Sequence, residues 1–218
     1  MSAVKAERLR VNEIFHSLQG EADCVGFPTA FVRLTGCPLR CQYCDTEYAF
    51  HAGDWFDLED ILEKVRAIGA SHVCVTGGEP LAQPNCLKLL TRLCDEGLQV
   101  SLETSGALDV SAVDPRVSRV IDVKTPGSKE ASRNRIENFA HLTSLDQLKF
   151  VICSRDDYDW SKAFLQQHGL DARCRILFSP SYNQQSPTAL AEWILADRLP
   201  VRFQLQLHKI LWGDVPGK

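Results

Sequence analysis

Apolar positions along the chain follow two different periods. Short apolar, β-branched runs with a period near two predict strands at AFVRLTG (30–36), HVCVTGG (72–78), VSLETSG (100–106), RVIDVKT (119–125), LKFVICS (148–154), RILFSPS (175–181) and RFQLQLH (202–208), with RVNEIFH (10–16) as an earlier candidate. Helical spacing predicts helices near 57–68, 85–96, 157–168 and 187–197. In the first of these Leu58, Ile61, Leu62, Val65 and Ile68 share one stripe, and Asp57 with Asp60 supplies an N-terminal signal. Strands alternating with helices imply a parallel sheet. Seven or eight strands in 218 residues leave too little chain for eight complete strand–helix units. The expectation is therefore an α/β fold, an abbreviated or partial (β/α) barrel. It forms a single domain over residues 1–218, with 1–8 as a flexible tail.

Composition changes this picture little. A hydrophobic content of 44% suits one sizeable core, and a net charge of −4 argues against a nucleic-acid partner. The richest basic stretch, Arg116 to Arg135, also holds Asp122 and Glu130. It reads as a solvated loop, with contact to an anionic ligand as the alternative. No apolar run reaches membrane-spanning length, and the polar N-terminus lacks the apolar region of a signal peptide. These features point to the cytoplasm, with no membrane partner, where thiols stay reduced. Cys74, Cys86, Cys94, Cys153 and Cys174 then read as small buried hydrophobes.

The chemistry-bearing residues gather at the predicted strand C-termini: Cys37, Gly77 to Pro80, Glu103 to Gly106, Lys124 to Ser128 and Ser179 to Asn183. In parallel α/β folds the loops at that edge converge on one crevice. Within GCPLRCQYCDT, Cys37, Cys41 and Cys44 stand close together without a fourth cysteine. Zinc would need a fourth ligand, for which His51 and Asp45 are candidates without a finger-like spacing. A redox pair would use Cys41 and Cys44 and leave Cys37 idle. Three thiolates on a four-iron cluster would leave one iron open to a substrate.

The C-x-x-x-C-x-x-C spacing, with an aromatic residue before the third cysteine and TGGEP at 76–80, resembles the radical S-adenosylmethionine superfamily. The resemblance implies that Cys37, Cys41 and Cys44 hold a 4Fe-4S cluster whose open iron chelates S-adenosylmethionine. Reductive cleavage then yields a 5′-deoxyadenosyl radical, and no further catalytic residue is implied. It places Tyr43, Cys44, Asp45, Gly78, Glu79, Glu103, Ser105 (or Gly106), Asp122, Val123, Lys124 and Ser179 around that cofactor.

SLQGE (17–21), FVRLTGC (31–37), CDT (44–46), ETSG (103–106) and LHK (207–209) resemble one branch of the superfamily. That branch contracts 6-carboxy-5,6,7,8-tetrahydropterin to 7-carboxy-7-deazaguanine with loss of ammonia, on the way to queuosine. A flat pterin needs its polar edges paired once buried. Gln19 offers donor and acceptor, Gly20 permits close approach, and Glu21 accepts from N–H groups. Arg33, mid-strand among apolar residues, suits a substrate carboxylate or a structural acid. Leu18 and Thr76 complete that side. In the last strand Gln206 and His208 lie on a polar face that is either solvated or turned into the lumen. The resemblance further implies Mg2+ at Thr46, a one-electron reductant such as flavodoxin, and a homodimer. The continuation ILWGDVPGK beyond His208-Lys209 departs from relatives that end soon after this pair, as does the segment from 124 to 144. A glycyl-radical activase shares the triplet and GGEP. An electron-transfer or zinc module would leave LQGE and CDT without a role.

Overall fold

In the computed structural model, which describes residues 7–215 and 217, nine strands form one sheet in the order β3-β1-β2-β4-β5-β6-β7-β8-β9. They are β1 (Arg8–Leu18), β2 (Pro28–Leu34), β3 (Asp54–Asp57), β4 (His72–Gly77), β5 (Gln99–Thr104), β6 (Ser118–Val123), β7 (Gln147–Ile152), β8 (Arg175–Pro180) and β9 (Arg202–Phe203). From β2 onward along the sheet every pair is parallel. β3 and β9 are separate edges, so the barrel stays open, as expected.

Helices α1 (Leu58–Ile68), α2 (Cys86–Asp95), α3 (Arg155–His168) and α4 (Pro187–Asp197) lie within two residues of their expected ends. The Ser154 hydroxyl accepts from the Asp157 amide and starts α3 two residues early. Asp57 does precede α1, but its side chain makes no capping bond.

Side-chain alternation along the strands divides the molecule into two layers. One phase, with Val32, Leu34, Val75, Leu102, Ile121, Val123, Phe150 and Phe178, packs with Leu62, Leu90, Tyr158 and Leu190 of the helices as a single buried core. The other phase, with Arg33, Thr76, Glu103, Asp122, Lys149 and Ser179, turns into a cavity.

Several expectations need correction. Arg8, expected in the tail, begins β1, while residues 1–6 lie outside the described residues. β1 runs antiparallel to β2, and β3, which no periodicity announced, pairs antiparallel to β1. The strand expected over 202–208 ends after two residues. There Gln204 Oε1 accepts from the Ala22 amide (2.7 Å) and the Leu207 amide donates to Gly20 O (3.0 Å), so bonds to the loop after β1 replace the ladder and α5 (Leu207–Trp212) follows. The basic stretch is not simply a solvated loop, because Arg119 and Lys124 are buried in ion pairs. Cys153 and Cys174 are half-buried, unlike buried Cys74, Cys86 and Cys94. No helix among the described residues is long and apolar enough to cross a membrane.

Candidate active site

One cavity of about 600 Å³ opens at the C-terminal ends of the parallel strands. It brings together Leu18, Gln19, Gly20, Glu21, Arg33, Cys37, Cys41, Tyr43, Cys44, Asp45, Thr46, Thr76, Gly78, Glu103, Ser105, Asp122, Lys124, Ser179, Gln206 and His208. Residues expected on both the cofactor and the substrate side therefore share one space. Two do not line it. Val123 belongs to the helix-facing phase of β6 and packs in the core.

Glu79 is the second. It is 0% exposed, and its carboxylate accepts from the Leu81 amide (3.0 Å), the Thr104 hydroxyl (2.9 Å), the Ser105 amide (2.7 Å) and the Ser105 hydroxyl. With its oxygens so engaged, the carboxylate ties the turn after β4 to the end of β5. Gly78 beside it is needed for close packing: a Cβ there would fall 2.3 Å from Gly36 O.

The thiol loop leans on the segment after β6, where the Gln42 amide donates to Ser128 O (3.1 Å). Burial raises the thiols of Cys37, Cys41 and Cys44 above their usual range. Metal binding would therefore have to displace their protons. Among the described residues no three His, Cys, Asp or Glu side chains converge on a single ion. Two polar atoms beside the loop are buried without a partner: the Tyr43 hydroxyl and Asp122 Oδ1. The other Asp122 oxygen accepts from Lys124 Nζ (2.8 Å). Unpaired buried polar atoms are costly, and a bound polar ligand would satisfy them.

Across the cavity, Glu103 accepts from Gln19 Nε2 (3.3 Å) and the Thr76 hydroxyl (2.9 Å), which joins it to the substrate group instead of the cofactor side where it was expected. Arg33 is held by Glu13 (2.7 Å), which also accepts from the Tyr48 hydroxyl (2.9 Å), so an internal acid already pairs with this cavity-lining guanidinium. Gly20 is required by His208: a Cβ on Gly20 would lie 2.1 Å from the ring Nδ1. The polar phase after β9 points inward, with Gln206 Nε2 donating to Glu21 Oε1 (2.8 Å). Thr46 precedes a short 3-10 turn, yet its hydroxyl makes no capping bond and donates to Asp45 Oδ1 (2.8 Å). Burial alone would raise the Asp45 carboxyl, but buried Lys209 at 2.9 Å holds it down at about 2.

Lys149 escaped the sequence reading, and Gln204, on the polar face expected over 202–208, was not singled out there, although both contact Glu21. The signal was present: Lys149 lies in the same strand phase as Asp122, its registered neighbour.

An open parallel sheet with a three-thiol loop at its C-terminal edge defines a radical S-adenosylmethionine protein, and the model of the Radical SAM superfamily matches residues 31–122. Proteins of this class carry a 4Fe-4S cluster and S-adenosylmethionine. The 7-carboxy-7-deazaguanine synthase of Chlorobaculum tepidum is 46% identical over 94% of this chain and 94% of its own. That of Thermoplasma acidophilum is 35% identical over 95% and 99%. The crystal structure of QueE from Escherichia coli superposes with a TM-score of 0.77 at 25% identity, covering 92% of this chain and 95% of that one. The chain belongs to the 7-carboxy-7-deazaguanine synthase family of radical enzymes.

Proposed function

We propose that this enzyme contracts 6-carboxy-5,6,7,8-tetrahydropterin to 7-carboxy-7-deazaguanine, releasing ammonia. The observation that carries the reading is the single cavity in which the thiol triplet faces the Gln19–Thr76–Glu103 and Glu21–Gln206 networks. Cys37, Cys41 and Cys44 would hold the cluster, with Tyr43, Asp45, Gly78, Ser105, Asp122, Lys124 and Ser179 around S-adenosylmethionine. When bound, that pair supplies the one-electron cleavage that initiates the rearrangement. The chain's own residues bind and orient the pterin. Gln19, Glu21 and Glu103 meet its polar edges, Arg33 and His208 flank it, and Gly20 leaves room for the His208 ring.

Thr46 would locate Mg2+. A hydroxyl without a capping role suits an ion held chiefly by substrate oxygens and water. A flavodoxin-like reductant, a homodimer and a cytoplasmic location belong to the same proposal and rest on family membership, as does the treatment of the chain as one catalytic domain.

The test is anaerobic reconstitution followed by incubation with the carboxytetrahydropterin, S-adenosylmethionine, a reductant and Mg2+. Formation of the deazaguanine acid is expected, and its absence from cluster-replete protein overturns the reading. Thr46→Ala should raise the Mg2+ needed for turnover while Thr46→Ser restores it. An unchanged Mg2+ dependence in Thr46→Ala removes the metal site.

A further inference from the structure

Glu21 is buried at the cavity wall, and its bonds come from elements far apart in sequence. Lys149 Nζ on β7 donates to Oε2 at 2.7 Å, Gln206 Nε2 donates to Oε1 at 2.8 Å, and Gln204 Nε2 stands 3.5 Å from Oε2. A carboxylate oxygen has two acceptor directions. Lys149 fills one on Oε2, whose other direction lies toward Gln204 at 3.5 Å, and Gln206 fills one on Oε1. The result is a braced fork on the cavity wall, with Oε1 short of one donor and Oε2 held at close range by Lys149 alone.

Lys149 is itself enclosed. Burial alone would discharge it, but Glu21, Asp122 and Glu103 keep its ammonium protonated. Burial would likewise raise the Glu21 carboxyl, and Lys149, Gln206 and His208 reverse that shift. Glu103 and Asp122 have other donors, from Gln19 and Thr76 and from Lys124. Lys149 is the cation ion-paired to Glu21 among the described residues.

Resting on the proposed reaction, we infer that Lys149 is a positioning residue: it fixes the Glu21 carboxylate as a two-acceptor fork that selects a substrate with two adjacent N–H donors. The 2-amino group and N3–H of a pterin have that form, and an ionised carboxylate facing paired donors gives a strong, directional contact. Heterocycles that present acceptors at this edge are refused, because carboxylate oxygens would face lone pairs.

The test compares wild type, Lys149→Met, Lys149→Arg and Glu21→Gln, all reconstituted with cluster, with iron and sulfide content as the folding control. Equilibrium binding of the carboxytetrahydropterin and of its analogue lacking the 2-amino group is measured beside steady-state turnover. Wild type should favour the parent over the analogue by about 10- to 100-fold. Lys149→Met should raise KM by about tenfold or more with a smaller change in kcat, and should lose that preference. Lys149→Arg should recover part of both.

If Lys149→Met takes up no cluster, the charge-balanced pair Glu21→Gln/Lys149→Met replaces it. The pair should bind pterin no worse than Glu21→Gln alone, since Lys149 acts through Glu21. An unchanged KM and preference in Lys149→Met overturns the inference, as does a double variant that binds much more weakly than Glu21→Gln. Failure of the proposed reaction would look different: cluster-replete wild type would bind neither compound and form no product.

Discussion

Strand β6 carries two ion pairs, three residues apart, that face opposite layers. Arg119 sits at its N-terminal end, where Nε and Nη2 meet the Asp146 oxygens at 2.9 and 2.5 Å. Its remaining donors reach Val110 O and His141 O, and Asp146 also accepts from Thr143. Every charged group there has several partners. Asp122, toward the other end, faces the cavity with one oxygen on Lys124 and the other unpaired. Each pair removes charge from water, yet only the first closes its hydrogen bonds within the protein. A buried pair completed internally is architecture, and one left incomplete beside a cavity still has an acceptor without a partner.

The largest break in this comparison comes from the open edge. Cys41→Ala should abolish turnover, because no fourth thiol lies in the loop to replace it, while the far-ultraviolet circular dichroism stays that of wild type. The corresponding break at the closed edge is Arg119→Met. Leaving Asp146 without its cation should cost about 3–5 kcal/mol in chemical denaturation. The pterin KM of protein that remains folded should be unchanged. A specific loss of pterin binding in Arg119→Met would mean that the two ends of β6 are coupled and not divided. Asp122→Asn is a smaller perturbation, since Asn keeps an acceptor toward Lys124. It should weaken S-adenosylmethionine binding by about tenfold, the worth of one charged hydrogen bond, and destabilise the fold less than Arg119→Met does.

That division also explains what could be read from sequence. The apolar phase of each parallel strand and the stripe on α1 were legible because burial on one face imposes a period. The thiol triplet and GGEP were legible because their chemistry requires fixed spacing. Lys149 was legible as a position in the phase of Asp122 but not as the partner of Glu21, since a lone lysine in LKFVICS does not reveal which carboxylate a distant loop will bring to it. Val123 was misplaced through neighbourhood: it adjoins Asp122 and Lys124 in sequence, but alternation turns it to the core. The motif singles out Glu79 but does not reveal the internal bonds that its carboxylate makes to Leu81, Thr104 and Ser105. β3 and the early end of β9 depend on loop contacts to β1 and Gly20, which have no local signature.

Two buried tyrosine hydroxyls give the smallest and sharpest form of the comparison. The Tyr158 hydroxyl lies under α4, donates to Asp197 Oδ2 (2.8 Å) and contacts Trp193 O (2.9 Å). The Tyr43 hydroxyl at the cavity has no partner. Burial, and then the nearby charge of Asp122, push the Tyr43 hydroxyl well above its ordinary range, so it stays a neutral donor at any working pH. Removing a satisfied hydroxyl loses its bonds and leaves acceptors stranded, so Tyr158→Phe should destabilise the fold by about 1–2 kcal/mol. Removing an unsatisfied one relieves a desolvation cost, so Tyr43→Phe should leave ligand-free stability unchanged or raise it by about 1 kcal/mol. The order should reverse for S-adenosylmethionine: Tyr43→Phe binds several-fold more weakly and Tyr158→Phe binds as wild type does. Denaturation of both variants without the cofactor, followed by titration with it, reads both halves. A Tyr43→Phe protein that lost stability as Tyr158→Phe does would show that its hydroxyl is held within the fold, leaving Asp122 Oδ1 as the unpaired buried atom beside the thiol loop among the described residues.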